Sequence, residues 1–208
     1  MKISKTIVFS ALLAYGVIAL TCCAKKEIKN VNSNGKNIIC FGDSITFGYG
    51  VKPGEDYPTE LAKLVSMPVL NMGIDGDTTS EAVKRLETDV LDRQPYLVII
   101  EFCGNDFLRK IPKEVTVNNL RDMIDRIHKK GAMVAIVDVS AGMFLQEYRV
   151  ELAKLAQETS SVFIPEILGG IITNPSMKSD FMHPNALGYK MIAAKIHQAV
   201  KPYLKAKI

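Results

Sequence analysis

The sequence predicts one doubly wound α/β domain, in which a five-stranded parallel sheet carries helices on both faces. Its apolar segments are continuous rather than alternating, which is typical of strands buried on both sides. A helical pattern separates each apolar run from the next, as in parallel sheets built from strand–helix units. The chain has 208 residues, enough for one domain with a substantial core.

Five short apolar runs are predicted to be the strands of this sheet. No internal repeat, low-complexity stretch or second domain interrupts their succession. In chain order the runs are Asn37–Phe41, Pro68–Met72, Leu97–Phe102, Met133–Val139 and Val162–Pro165.

Five helices are predicted between and after these strands. Thr78 lies three residues before Glu81, the spacing of a capping box at a helix start. Gly131 suits the position that follows a helix end. In chain order the helices are Tyr57–Val65, Thr78–Leu91, Val117–Lys130, Leu145–Thr159 and Ala186–Tyr203.

The amino-terminal segment resembles a bacterial signal peptide. Lys2 and Lys5 give it a positive start, and an apolar run from Ile7 to Leu20 follows. The run is short for a membrane-spanning helix, which needs about 20 apolar residues. An amino-terminal anchor helix is therefore the less favoured alternative.

Adjacent cysteines at the end of this segment indicate a lipid anchor. Leu20-Thr21-Cys22-Cys23 resembles the box at which bacterial lipoproteins are cleaved and acylated. Leu20 lies three residues before Cys23, so Cys23 is the predicted lipidation site and Cys22 the alternative.

These features divide the chain into a signal peptide at 1–22, a polar tether at 23–36 and a domain at 37–208. They predict an exported lipoprotein of the bacterial cell envelope, whose only membrane contact is the amino-terminal lipid anchor.

Charge and cysteine patterns exclude several other classes. The formal net charge is +4. Basic residues are interspersed with acidic ones except in the tail from Lys201 to Lys207, which is predicted to be a solvated helix end. The sequence contains no basic stripe with aromatic residues, the pattern that would predict nucleic-acid binding.

Cys40 and Cys103 lie in or beside apolar runs and are predicted to be free buried thiols. No Cys or His spacing indicates a zinc site.

The segments that follow the predicted strands are the candidates for a ligand site. In open parallel sheets ligands bind beyond the carboxyl ends of the strands, and polar residues are concentrated there. These segments are Gly42–Ser44, Gly73–Thr78, Cys103–Asp106 and Ser140–Met143.

Ser44 lies between a buried strand and a helix start, where a nucleophile suits the fold. Gly-Asp-Ser is also an ordinary turn with a helix cap, so other residues must decide. Of three histidines, His128 and His197 lie on predicted helices and are interpreted as structural or merely solvated. His183 lies in a loop with Asp180 three residues before it, and such a pair can hold a histidine as general base for a serine.

Acyl transfer also requires hydrogen-bond donors for a developing oxyanion. The glycine-containing turn after the second strand offers the Gly76 N–H. Asn105, after the third strand, offers a side-chain amide. Each of these two features is also common in ordinary loops.

Taken together, these residues resemble the GDSL or SGNH hydrolase family, named for Ser, Gly, Asn and His in four sequence blocks. The match spans nearly the whole predicted domain, in order and with compatible spacing. The blocks are Gly-Asp-Ser-Ile-Thr at 42–46, Asn-x-Gly-Ile-x-Gly-Asp-Thr at 71–78, Gly-Asn-Asp at 104–106 and Asp-x-x-His-Pro-Asn at 180–185.

The resemblance implies a flavodoxin-like SGNH hydrolase fold and an esterase that acts through a covalent acyl-enzyme, with no metal or cofactor. By this resemblance Ser44 is the nucleophile, His183 the general base and Asp180 the residue that orients it. The oxyanion hole then consists of the Ser44 N–H, the Gly76 N–H and the Asn105 amide.

The blocks are most similar to bacterial arylesterases and multifunctional acyl thioesterases/lysophospholipases. The expected substrates are small-molecule oxygen esters, with thioesters as a further class. Carbohydrate O-acetyl esters, or acyl transfer to a sugar hydroxyl, are the alternatives on the same site. A non-catalytic binding module is disfavoured, because such modules generally lack the serine, the histidine or an oxyanion donor.

Three departures from that branch bear on substrate identity: Cys103 in place of a glycine, the bulky pair before His183, and an atypical Ser140–Tyr148 segment. Apolar side chains near the predicted site favour a hydrophobic acyl group, unless they are ordinary core. They are Phe107, Leu108, Phe144, Phe181 and Met182.

Overall fold

A computed structural model describes residues 27–140 and 145–204. The predicted signal peptide with Cys22 and Cys23, and Phe144 of the predicted acyl pocket, lie outside these residues. Five strands form one all-parallel sheet, as predicted, and the structure gives their order as β2-β1-β3-β4-β5. They are β1 (Asn37–Gly42), β2 (Val69–Gly73), β3 (Pro95–Glu101), β4 (Met133–Val137) and β5 (Val162–Ile164).

The centre of the sheet is the core of the domain. β3 lies between β1 and β4, and every residue of β3 and β4 is buried. The edge strand β2 is only partly buried. The apolar runs are continuous in the centre because helices cover both faces there.

Seven α-helices lie among the described residues. α2 packs against α7, while α5 contacts both α3 and α6, so two helical layers enclose the sheet. The helices are α1 (Ser44–Phe47), α2 (Tyr57–Ala62), α3 (Thr79–Asp89), α4 (Gly104–Leu108), α5 (Lys113–Lys129), α6 (Gln146–Thr159) and α7 (Ala186–Val200).

Helix boundaries follow local chemistry. The predicted capping box at the start of α3 is confirmed, with Thr78 and Glu81 exchanging hydrogen bonds. α5 begins four residues earlier than predicted, directly after Pro112, whose fixed φ suits a helix start. α7 ends at Val200 rather than at Tyr203, and a short 3₁₀ turn that contains Pro202 follows.

Residues 28–36 differ from the predicted tether, because they are fixed to the domain. The Lys29 N–H donates to the Ser160 carbonyl at 2.9 Å, and the Lys36 N–H donates to the Gln94 carbonyl at 2.8 Å. The Asn30 amide donates to the carbonyls of His128 and Ala132, both at 2.9 Å. All four acceptors precede β3, β4 or β5, so this segment closes the amino end of the sheet.

Within 27–140 and 145–204, no helix has both the length and the apolar character needed to cross a bilayer.

Candidate active site

The strand order brings three of the four sequence blocks together. β1 connects to β2 on one side and is flanked by β3 on the other, and ligand sites form where strand order reverses in this way. Ser44 follows β1 as the first residue of α1, and Asn105 follows β3 as the second residue of α4. Asp43 caps α1 through its bond from the Ile45 N–H. This turn and cap place Ser44 at the carboxyl edge of the sheet.

The fourth block completes a hydrogen-bonded line of three side chains. Ser44 Oγ lies 3.1 Å from His183 Nε2. His183 Nδ1 lies 2.8 Å from Asp180 Oδ2. The predicted trio therefore meets, although Ser44 and His183 are 139 positions apart in the chain.

The loop from Asp180 to His183 holds the imidazole from several directions. The other oxygen of Asp180 accepts the N–H groups of Met182 and His183, both at 2.8 Å. Burial opposes ionisation of Asp180, but these bonds and the His183 side chain outweigh it and lower the Asp180 pKa. The Tyr49 ring lies 4.4 Å from the His183 ring, and the Tyr189 hydroxyl holds the Tyr49 carbonyl at 3.0 Å.

Asn105 connects the two segments that carry the other predicted donors. Its Nδ2 donates to Asp43 Oδ2 and to the Asp77 carbonyl, both at 3.1 Å. Gly76 precedes Asp77 and has a φ of +77°, which favours glycine. Arg109 donates to the Gly76 carbonyl at 2.6 Å and so holds this turn.

Sequence reasoning missed Arg85, which clamps the backbone under the site. Its guanidinium donates to the carbonyls of Gly42 and Met72, at the ends of β1 and β2. It also pairs with Asp77 at 2.6 Å and lies over the Phe41 ring, 4.3 Å from its centroid. An arginine on a helix face carries no local signal for such a role, because its partners come from separate strands.

A cavity of about 540 Å³ opens beside Ser44 and His183. Leu108, Phe181 and Met182 line it, as expected from the sequence. Phe107 is absent from the lining and packs edge-on against Tyr148 instead, so its predicted place in the pocket is wrong. Sequence reasoning missed a second set of apolar lining residues, which includes Tyr49, Val139, Leu145, Leu168 and Ile172.

Cys103 and Ser140, two further positions from the sequence analysis, lie in the buried interior of the domain. Cys103 and Cys40 are free and buried, as predicted. Cys103 has a φ of +113°, a conformation that favours the glycine usual at this position. Ser140 is fully buried and bonds to Asp138 through both its N–H and its hydroxyl, so it supports the fold rather than the cavity.

Comparisons with known proteins agree with this geometry. The profile of the GDSL-like Lipase/Acylhydrolase family matches residues 40–191. The chain belongs to this family. The predicted resemblance is thereby confirmed, and the protein is a serine hydrolase that acts on ester bonds.

Relatives and a solved structure support that assignment. The chain is 29% identical over 184 residues to an arylesterase of Vibrio mimicus, which covers 81% of this chain and 90% of the relative. It is 26% identical over 207 residues to esterase TesA of Pseudomonas aeruginosa, covering 93% of this chain and 99% of the relative. A crystal structure of TesA superimposes with a TM-score of 0.76 at 23% identity, over 81% of this chain and 99% of that one, which shows the shared fold.

Proposed function

We propose that the protein hydrolyses carboxylic oxygen esters through an acyl-enzyme formed on Ser44. The observation that carries this proposal is the unbroken line from Ser44 Oγ through His183 to Asp180, with contacts of 3.1 and 2.8 Å. A serine hydroxyl becomes nucleophilic when an adjacent base takes its proton, and a carboxylate fixes the tautomer of that base.

In the first half-reaction His183 Nε2 accepts the Ser44 proton as Oγ attacks the ester carbonyl. The carbonyl oxygen becomes an oxyanion, for which the Ser44 N–H, the Gly76 N–H and the Asn105 amide are the proposed donors. Both Asn105 amide hydrogens are directed at Asp43 and Asp77, so the oxyanion must share one of them. His183 then protonates the leaving alkoxide, and a water molecule activated by the same histidine releases the acid.

The apolar cavity wall supports a hydrophobic acyl group of short to medium length. This wall consists of Leu108, Leu168, Ile172, Phe181 and Met182. A sugar ring inside the cavity, in place of an acyl chain, would leave these side chains without apolar contact. Lysophospholipids and acylated sugars are the natural classes of ester for such a pocket at the cell envelope. Acyl-coenzyme A thioesters are disfavoured, because coenzyme A is cytoplasmic and the predicted signal exports this chain.

A panel of esters from acetyl to palmitoyl, with lysophosphatidylcholine and acetylated xylan, tests this substrate class. We expect the highest kcat/KM at short-to-medium acyl lengths and little turnover of acetylated xylan. Strong preference for acetylated xylan, without activity on butyryl or longer esters, would instead identify a carbohydrate O-acetylesterase.

We further propose a lipoprotein anchored through acylated Cys23, with residues 1–22 removed as the signal peptide. Mass spectrometry of the native amino terminus tests this directly. A diacylated or triacylated Cys23 is expected, whereas acylation at Cys22 would shift the site by one residue. A chain that retains Met1, or starts beyond Cys23 without lipid, would contradict it.

This anchor would leave the catalytic site facing away from its own membrane. The described chain joins the domain at the amino end of the sheet, and Ser44 lies beyond the carboxyl end of β1. The five peptide units from Cys23 to Ile28 reach at most about 18 Å. Esters arriving from the surrounding fluid are therefore more accessible to the site than lipids of the anchoring leaflet.

A further inference from the structure

Beneath the proposed oxyanion site lies a pair of buried carboxyl groups that the acyl-transfer steps do not use. Glu101 is the last residue of β3, and Asp43 directly follows the neighbouring strand β1. Their exposed fractions are 0% and 3%. The two residues are in direct contact, since the Asp43 N–H donates to the Glu101 carboxyl group at 3.4 Å. Two adjacent carboxylates cannot both ionise freely away from water, so the pair must hold a proton.

The hydrogen-bond donors around the pair indicate which group carries that proton. Both oxygens of Asp43 accept bonds, Oδ1 from the Ile45 N–H at 3.2 Å and Oδ2 from the Asn105 amide at 3.1 Å. Glu101 Oε2 accepts from the Thr46 hydroxyl at 2.8 Å and from the Asp43 N–H at 3.4 Å. Glu101 Oε1 is buried and receives no bond from any donor in the described part of the chain. A proton on Oε1 therefore displaces no existing donor, whereas a proton on any other oxygen of the pair competes with one.

We infer that Glu101 is a protonated acid that donates its Oε1 hydrogen to the Asp43 carboxylate, which makes Glu101 a positioning residue for the catalytic turn. Burial and the negative charge of Asp43 raise the pKa of Glu101 well above its ordinary value. Burial also raises the pKa of Asp43, but the hydrogen bonds from the Ile45 N–H and the Asn105 amide oppose this rise, which favours the negative charge on Asp43 rather than on Glu101. The inference rests on the proposed roles of Ser44 and Asn105.

The pair acts on the reaction through Asp43. One Asp43 oxygen holds the start of α1 beside Ser44, and the other holds the amide of Asn105. A donor at position 101 keeps the carboxylate in the orientation that serves both. Without that donor the buried anion would turn toward other partners, and both the serine turn and the oxyanion donor would lose their alignment.

Four variants separate this role from simple support of the fold. Glu101→Gln keeps a donor toward Asp43 and an acceptor for Thr46, so we expect kcat within about threefold of wild type. Glu101→Leu removes the donor, and we expect kcat to fall by about 10–100-fold with KM changed far less. Asp43→Asn offers one acceptor oxygen where two are used, so it should resemble Glu101→Leu. Tyr57→Phe is the matched control, since Tyr57 contacts Thr46 at 3.0 Å on the far side of the same buried network; its kcat should not change.

Infrared spectroscopy at pH 7.5 reads the proton without reference to activity. The wild-type enzyme should show the C=O band of a protonated carboxyl, and this band should be missing in Glu101→Gln. This band tests the protonation of Glu101 even if Glu101→Leu does not fold. It does so equally if the enzyme prefers another ester class. A kcat loss in Glu101→Gln as large as in Asp43→Asn, or a carboxyl band that persists in Glu101→Gln, would overturn the inference.

Discussion

The two ends of the sheet use their polar groups in opposite ways. At the carboxyl end, Asp43 and Asp180 concentrate negative charge around Ser44, and apolar side chains such as Phe181, 85% exposed, face solvent. At the amino end, residues 28–36 satisfy backbone carbonyls with hydrogen bonds. At the carboxyl end the polar groups are available to a ligand, whereas at the amino end they form hydrogen bonds within the fold. Substitutions at the first end should therefore change turnover, and those at the second should change stability.

The largest expected effect is at the catalytic end. Ser44→Ala or His183→Ala should lower kcat on p-nitrophenyl esters by about 10⁴-fold or more, because nucleophile and base act as one unit. The thermal unfolding temperature should be nearly unchanged, since the Ser44 hydroxyl and the His183 ring bond to each other within the site. Turnover within tenfold of wild type in either variant would contradict the assignment.

Asn105→Ala should have the next largest effect. The oxyanion exists chiefly in the transition state, so we expect a loss of about 3–4 kcal/mol in barrier lowering, seen in kcat, with KM little changed. Steady-state kinetics separate the two constants. A rise in KM alone would instead make Asn105 a substrate-binding residue.

Asn30→Gly tests the amino end. Asn30 has a φ of +59° that glycine adopts readily, so the substitution removes the two side-chain bonds without adding backbone strain. We expect unfolding free energy to fall by about 1–3 kcal/mol, measured by urea titration, while kcat stays at the wild-type value. A loss of kcat with unchanged stability would reverse the proposed division between the two ends.

The smallest expected effect concerns acid stability at the amino end. Burial, with the positive charge of Lys29, lowers the pKa of His128 to about 4, below the value of about 6.5 in an unfolded chain. Between these values the unfolded chain binds a proton that the folded protein does not. The stability conferred by neutral His128 is therefore complete above pH 6.5 and is lost as pH falls toward 4.

His128→Leu removes this titration. Between pH 7.5 and pH 5, the unfolding free energy of the wild type should fall by about 1–2 kcal/mol more than that of the variant. Urea titrations at the two pH values measure the difference. Parallel losses in both proteins would show that His128 does not contribute to acid sensitivity.

The sequence by itself determined the fold class and the principal catalytic candidates. Each strand is a short apolar run and most helices have a local start or stop signal, such as the capping box of Thr78 and Glu81. Gly-Asp-Ser, Gly-Asn-Asp and Asp-x-x-His are also local patterns. Such signals can be found without knowing which strands are neighbours, because the residues that make them are close together in the chain.

Only the tertiary structure decided what depends on neighbours distant in sequence. It brought Ser44 to His183, placed Arg85 across two strand ends and closed the amino end with residues 28–36. It also turned Phe107 away from the cavity that Leu168 enters. The protonation of Glu101 belongs to this group, since burial and the nearby Asp43 charge arise only when β1 and β3 pair. Long-range packing and electrostatics act through space, and a pattern along the chain does not contain them.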